Sequence, residues 1–132
     1  MNESLPTTFQ RVENISIALL SLLIYARLGF AWYWLPVLFI MFDLSALGYV
    51  INTRVGALTY NAVHNYLAPV GLLLIGYAVS YTPTWMFLVC LVWIFHIAAD
   101  RVMGYGLKYP DGFGHTHLGM IGKEKDAKQS RR

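Results

Sequence analysis

The stretch Thr84-Trp85-Met86-Phe87-Leu88-Val89-Cys90-Leu91-Val92-Trp93-Ile94-Phe95-His96-Ile97-Ala98-Ala99-Asp100-Arg101 decides the fold. It follows Pro83, carries no charge before Asp100, and extends in helical character to about Lys108. About twenty predominantly apolar residues are enough for a helix to cross the hydrocarbon core of a bilayer. Three further runs of this kind precede it: about Asn14 to Trp32, about Leu35 to Ile51 with Pro36 in its first turn, and about Gly56 to Ser80. The first two could also form one bent hairpin unit, since few residues separate them.

Composition agrees with lipid as the surrounding solvent. Of 132 residues, 57% are hydrophobic and 13% are charged, against about 25% charged in a typical soluble domain. Mean hydropathy is +0.49. Between Ile15 and Leu107 the charged residues are only Arg27, Asp43, Arg54, Asp100 and Arg101. The expected fold is therefore all-α, an integral membrane bundle of about four transmembrane helices. Residues 1–122 form its single domain and residues 123–132 a basic, mobile tail.

The loops set the orientation. Arg54 lies between spans two and three, and the tail holds Lys123, Lys125, Lys128, Arg131 and Arg132, whereas Tyr81-Thr82-Pro83-Thr84 is uncharged. Positive charge marks the cytoplasmic side, so both termini are expected there. Arg27 dissents and is read as reaching to outer headgroups. Trp32, Tyr33, Trp34, Tyr81 and Trp85 fit the outer interface, Tyr60 and Tyr109 the inner one. The tail suits anionic membrane lipid. Nucleic acid is excluded as a partner for want of an ordered basic face. The polar stretch Met1–Gln10 lacks a cleavable signal, so the first span is its own insertion signal. Cys90, the only cysteine, reads as a small buried hydrophobe. Tyr109-Pro110-Asp111-Gly112 reads as the turn that stops the fourth helix.

Ionisable side chains within a span are costly and point to function. Asp43 lies on span two, His64 on span three, and His96, Asp100 and Arg101 on span four. At 1.5 Å rise per residue, Asp43, His64 and Asp100 each lie about 12 Å, and His96 about 18 Å, from the inner ends of their spans. The four therefore share one layer. His96 and Asp100 are four apart and share a helix face. Asn61 and Asn65 flank His64 within a turn and are expected to orient it. A histidine-plus-carboxylate set suits zinc or another divalent metal, which can activate a bound water. Asp43, His64, His96 and Asp100 are the expected ligands, with Asp43 or Asp100 as base and Arg101 as a clamp for an anion such as phosphate. His115 and His117 complete the site if the tail folds back. The bland alternatives are charge neutralisation between Asp100 and Arg101, and interhelical hydrogen bonding by His64. No phosphate-cradling glycine loop and no nucleophile elbow is present.

The run His96-Ile97-Ala98-Ala99-Asp100-Arg101-Val102-Met103-Gly104-Tyr105-Gly106-Leu107-Lys108-Tyr109-Pro110, continuing to Thr116-His117-Leu118-Gly119, resembles the signature of an uncharacterised bacterial membrane family, domain of unknown function 4260. Asp43-Leu44-Ser45-Ala46-Leu47-Gly48-Tyr49 and Tyr60-Asn61-Ala62-Val63-His64-Asn65-Tyr66 are similar to its other two motifs. The resemblance covers roughly residues 11 to 122 and implies a small multi-pass protein of the bacterial inner membrane. A fainter likeness is to small membrane-bound metal-dependent hydrolases, which pair a helix-embedded acid with a His segment and a His-x-x-x-Asp element. Those chains double the acid and have a fuller His-Arg-Gly-x-Thr-His segment, where this one has Asp43 and His64 alone.

Two functions from different classes follow. One is a metal-dependent hydrolase acting on a lipid-borne substrate. The other is a small transporter, proton-relay or ligand-binding protein, which would need self-association to enclose a path. A structural subunit is the third reading.

Overall fold

The computed structural model describes residues 5–122 together with Ser130; the basic tail otherwise lies outside the described residues. Five α-helices run Leu5–Arg27 (α1), Trp34–Asp43 (α2), Thr53–Val63 (α3), Leu67–Ala78 (α4) and Thr84–Met103 (α5). A 3-10 segment, Leu44–Val50, continues α2. A short antiparallel hairpin, His115–Thr116 (β1) and Gly119–Met120 (β2), pairs His115 with Met120 and Thr116 with Gly119. Among the described residues the chain is mostly helical, and the hairpin, with an isolated bridge from Lys108 to Thr116, departs from the all-α expectation.

α5 is the axis of the bundle and packs against α1, α2 and α4. Among the described residues it alone is both long enough and apolar enough to cross a membrane as one continuous helix. α1 is longer, beginning nine residues before the expected Asn14, but Arg11, Glu13 and Arg27 break its apolar character. The second expected span is realised as α2 plus the 3-10 segment, about 29 Å end to end at 1.5 and 2.0 Å rise per residue. The third is broken: His64, Asn65 and Tyr66 separate α3 from α4.

That break exposes backbone groups that other side chains satisfy. Trp93 Nε1 donates to the Val63 carbonyl at 2.6 Å, and Arg101 Nη2 to the His64 carbonyl at 3.1 Å. Asn65 Nδ2 donates to the carbonyls of Asn61 and Ala62, while its Oδ1 accepts from Ala68 N–H. One asparagine thus closes α3 and opens α4. The Tyr66 hydroxyl donates to buried Asn14 Oδ1, tying the break to α1.

The α3 side of the layer is held by close backbone approach. A Cβ at Gly48 would lie 2.2 Å from Thr59 Oγ1 and 3.1 Å from Gly56 Cα. Only glycine lets the 3-10 segment and α3 meet this closely. Thr59 Oγ1 donates to the Ser45 carbonyl at 2.7 Å across the same seam.

α5 ends at Gly104, five residues before the expected turn at Tyr109–Gly112. Gly104 has φ +91°, and Tyr105 N–H returns to the Asp100 carbonyl at 2.8 Å. This left-handed closure satisfies carbonyls the helix leaves open. The chain then folds back: Asn61 pairs with the backbone of Lys108 through both its amide oxygen (2.7 Å) and its nitrogen (2.9 Å).

Burial is mixed: apolar residues such as Cys90, Ile97 and Ala98 are buried together with polar ones. Asn14, Ser21, His64, His96, Asp100, Arg101, Lys108 and Thr116 are buried, while large apolar residues such as Leu19, Leu23, Ile40, Leu58, Leu67 and Leu74 are exposed. A small apolar core remains around Tyr25, Leu91 and Val92.

Candidate metal centre

Asp43 closes α2 where the coil tightens into the 3-10 segment; His64 sits at the broken end of α3; His96 and Asp100 stand one turn apart on α5. Their side chains converge. One ligand atom from each of the four lies within 4.8 Å of all the others. His64 Nε2 is 2.9 Å from His96 Nε2, 3.5 Å from Asp100 Oδ2 and 3.8 Å from Asp43 Oδ1. His96 Nε2 is 3.5 Å from Asp43 Oδ1 and 3.8 Å from Asp100 Oδ2. A tetrahedral ion with bonds of 2.0–2.1 Å needs ligand–ligand edges of about 3.3 Å. The five distances bracket that value. Two neutral imidazoles and two carboxylates also balance the charge of one divalent cation, which matters for the buried part of the set.

The surroundings set the tautomers. His64 Nδ1 lies 3.0 Å from the Tyr60 carbonyl, which can only accept, so Nδ1 carries the proton and Nε2 turns its lone pair to the centre. The Tyr60 ring stacks on His64 with centroids 3.7 Å apart, and its hydroxyl donates to Asp100 Oδ2 at 2.9 Å. Ser45 Oγ stands 3.3 Å from His64 Nδ1. His96 differs: its ring is held edge-on by Phe39 at 4.2 Å, and its buried Nδ1 has no partner among the described residues.

Exposure separates the four. The side chains of His64, His96 and Asp100 are 3%, 0% and 11% exposed, that of Asp43 54%. Asp43 faces a pocket of about 410 Å³ lined by Phe39, Ala46, Tyr60, Asp100, Met103 and Phe113. The centre is closed by protein around His64, His96 and Asp100 and open at Asp43.

Several expected site residues stand elsewhere. Arg101 does not line this pocket; its guanidinium is committed to the His64 carbonyl and lies 3.0 and 3.1 Å from the ring nitrogens of His117. The side-chain amides of Asn61 and Asn65 hold backbone at Lys108 and at the helix break, and their hydrogen bonds do not go to the imidazole. His117 accepts from Leu107 N–H, and His115 pairs with Asp111 at 2.8 Å, so neither reaches the centre. That hydrogen bond holds the Asp111 carboxyl below its ordinary range. Burial, then the Arg101 charge, pushes His117 below the ordinary imidazole value.

Tyr60 is the residue that sequence reasoning misplaced. Expected at the inner interface, it is buried at the centre. Its position four residues before His64, on the same face of a helix, was the available signal.

Residues 7–121 match a protein family described as Domain of unknown function (DUF4260). The chain belongs to that family. The DUF4260 match takes in all four centre residues, Tyr60 and the C-terminal hairpin, and stops short of the basic tail. No curated protein and no solved structure matches the chain, so the likeness to membrane-bound hydrolases has no support from relatives.

Proposed function

We propose that this DUF4260 protein is a multi-pass membrane protein whose His/Asp centre binds a divalent metal, zinc above all, and hydrolyses an ester in a lipid-borne substrate. The observation that carries the metal is the convergence of Asp43, His64, His96 and Asp100 from three separate segments, each with a ligand atom within 4.8 Å of the others; in the working enzyme the exposed Asp43 would give up its place at the ion to a water.

The membrane reading rests on the many exposed large apolar residues beside buried polar ones, the apolar length of α5, and the packing of α1, α2 and α4 around it. Broken helices at membrane depth are tolerated where protein satisfies their backbone, as Trp93, Arg101 and Asn65 do here. On this reading both termini face the cytoplasm of a bacterial inner membrane, residues 1–122 form one domain, and lipid is its immediate partner. The exposed apolar helix faces leave room for copies to associate.

The division of labour follows exposure. His64, His96 and Asp100 form a buried two-His, one-carboxylate set, which suits a catalytic ion that keeps one position for water. An ion held there by His64, His96 and Asp100 would supply Lewis acidity and lower the pKa of a water towards about 7. Asp43, at the pocket, takes the proton from the water as the oxygen attacks the ester centre. Asp43 then returns the proton to the leaving alkoxide as the ester bond breaks, giving acid and alcohol. Phe39, Met103 and Phe113 offer apolar wall to the lipid portion.

Metal analysis of the purified protein tests this: about one ion per chain in the wild type, and none in Asp100→Ala or His96→Ala. Asp43→Asn is expected to keep the ion and lose ester hydrolysis in mixed micelles. Negligible metal in wild type and variants alike ends the reading.

One observation favours a second function. In the ion-free state His96 Nε2–H can donate directly to the His64 Nε2 lone pair at 2.9 Å, a contact suited to passing a proton. A pH-driven flux in proteoliposomes, lost in His64→Ala and insensitive to chelator, would select a proton relay instead.

A further inference from the structure

The backbone of His64 is held by its own helix on one side and by a distant part of the chain on the other. His64 closes α3 with φ −94° and ψ 35°, outside the helical region. Its N–H is bonded to the Tyr60 carbonyl at 2.8 Å. Its carbonyl is one of those that a helix end leaves open, and Arg101 Nη2 donates to it at 3.1 Å. Arg101 Nη1 in turn lies 3.0 and 3.1 Å from the ring nitrogens of His117, in the turn between β1 and β2.

The segment of residues 104–121 grips the last turn of α3 at a second point. Asn61 bonds both the N–H and the carbonyl of Lys108, at 2.7 and 2.9 Å, three positions before His64 on the same helix face. Inside the segment, Leu107 N–H donates to His117 Nδ1 at 2.9 Å, and His117 N–H to the Leu107 carbonyl at 3.0 Å. A Cβ at Gly106 would stand 2.6 Å from His117 Nδ1, so glycine lets the ring close on this backbone. The same segment gives Tyr105 and Phe113 to the wall of the pocket at Asp43. One length of chain thus fixes the backbone of a metal ligand and walls the pocket beside it.

We propose that residues 104–121 form a clasp coupled to the metal centre, with Arg101 and Asn61 as the positioning residues that carry the coupling. The proposal rests on the reading of the centre as a metal site. A ligand whose backbone is already fixed binds an ion without the entropic cost of ordering it. A docked clasp therefore strengthens metal binding. Linkage is reciprocal, so bound metal holds the clasp down in turn. A strap that served stability alone would show no such dependence.

The test uses the full chain in detergent, stripped by chelator and then given zinc. Hydrogen exchange at the amides of Lys108, Tyr109, His117 and Ile121 reads the clasp, since each of these N–H groups is bonded within it or to Asn61. Competition with a chromogenic chelator reads zinc affinity. Arg101→Met and Asn61→Leu each release one grip. Asn52→Ala, which removes the side chain that caps the opposite end of α3, is the structural control. Zinc is expected to slow exchange at the four amides about tenfold in the wild type. Arg101→Met and Asn61→Leu should bind zinc about tenfold more weakly, and Asn52→Ala within about threefold of the wild type. If Arg101→Met does not fold, Asn61→Leu decides alone. Zinc bound by the wild type with exchange unchanged at these amides overturns the clasp and leaves the metal reading standing. Wild-type zinc affinity in Asn61→Leu, or an equal loss in Asn52→Ala, does the same. A wild type that binds no zinc overturns both.

Discussion

The Nε2 atoms of His64 and His96, carried by different helices, face each other across 2.9 Å in the interior of the bundle. Two imidazoles meet in this way either around a shared proton or around a shared cation. The carboxylates of Asp43 and Asp100 on the same centre favour the cation, since two anionic oxygens within 4.8 Å repel unless something positive lies between them. Loss of either ring should therefore do more than loosen packing. His64→Ala and His96→Ala are each expected to weaken zinc binding by more than about 100-fold, beyond the 10–100-fold typical of losing an outer-shell partner. Competition with a chromogenic chelator reads this directly; affinity within threefold of wild type in both would count against a shared ion.

Tyr60 tests the outer shell without removing a ligand. Tyr60→Phe keeps the ring stacked on His64 and deletes only the hydroxyl that donates to Asp100. Metal affinity should fall by about 10-fold, with the thermal midpoint of the metal-free protein moving little. If affinity stays unchanged, the hydroxyl does not orient Asp100.

The parts of this arrangement that local pattern could show were those fixed within one helix. The four-residue spacing of His96 and Asp100 placed them on one face, and simple helical rise brought Asp43 and His64 to their level. What stayed hidden was set by contacts distant in sequence. The end of α3 at His64 depends on Trp93 and Arg101, roughly thirty residues or more further on, and no local breaker marks it. Arg101 reads locally as a cation beside an acid, but the chain reversal after Gly104 brings His117 to it and turns it from the pocket. Asn61 and Asn65 were expected to serve His64 because they are its neighbours; the backbone freed by the break and by the returning loop has the stronger claim on them.

Gly48 bears on stability and site geometry together. A methyl at this position would come within 2.2 Å of Thr59 Oγ1 and 3.0 Å of the Val55 carbonyl, so the 3-10 segment and α3 must separate. Gly48→Ala should cost about 1–3 kcal/mol, the usual range for overpacking. Because Ser45 and Asp43 ride on one side of that seam and His64 on the other, zinc affinity should fall as well. Unfolding in denaturing detergent gives the first quantity and chelator competition the second; wild-type values in both would show that the seam tolerates expansion.

His117 gives a pH dependence whose sign is determined. Burial first, and then the positive Arg101, hold its folded-state pKa below the ordinary value of about 6.5. The folded chain therefore prefers neutral His117, whose Nδ1 accepts from Leu107 N–H at 2.9 Å. Above about pH 6.5 the ring is neutral in both states and this stabilisation is fully present. As pH falls from there towards the depressed folded-state value, the unfolded chain takes up the proton first and the stabilisation is lost. Other groups titrate in the same window, so the comparison is with His117→Gln. The wild type should lose more of its thermal midpoint than the variant between pH 7.5 and pH 5.5. Parallel losses would mean that His117 changes its proton affinity little on folding.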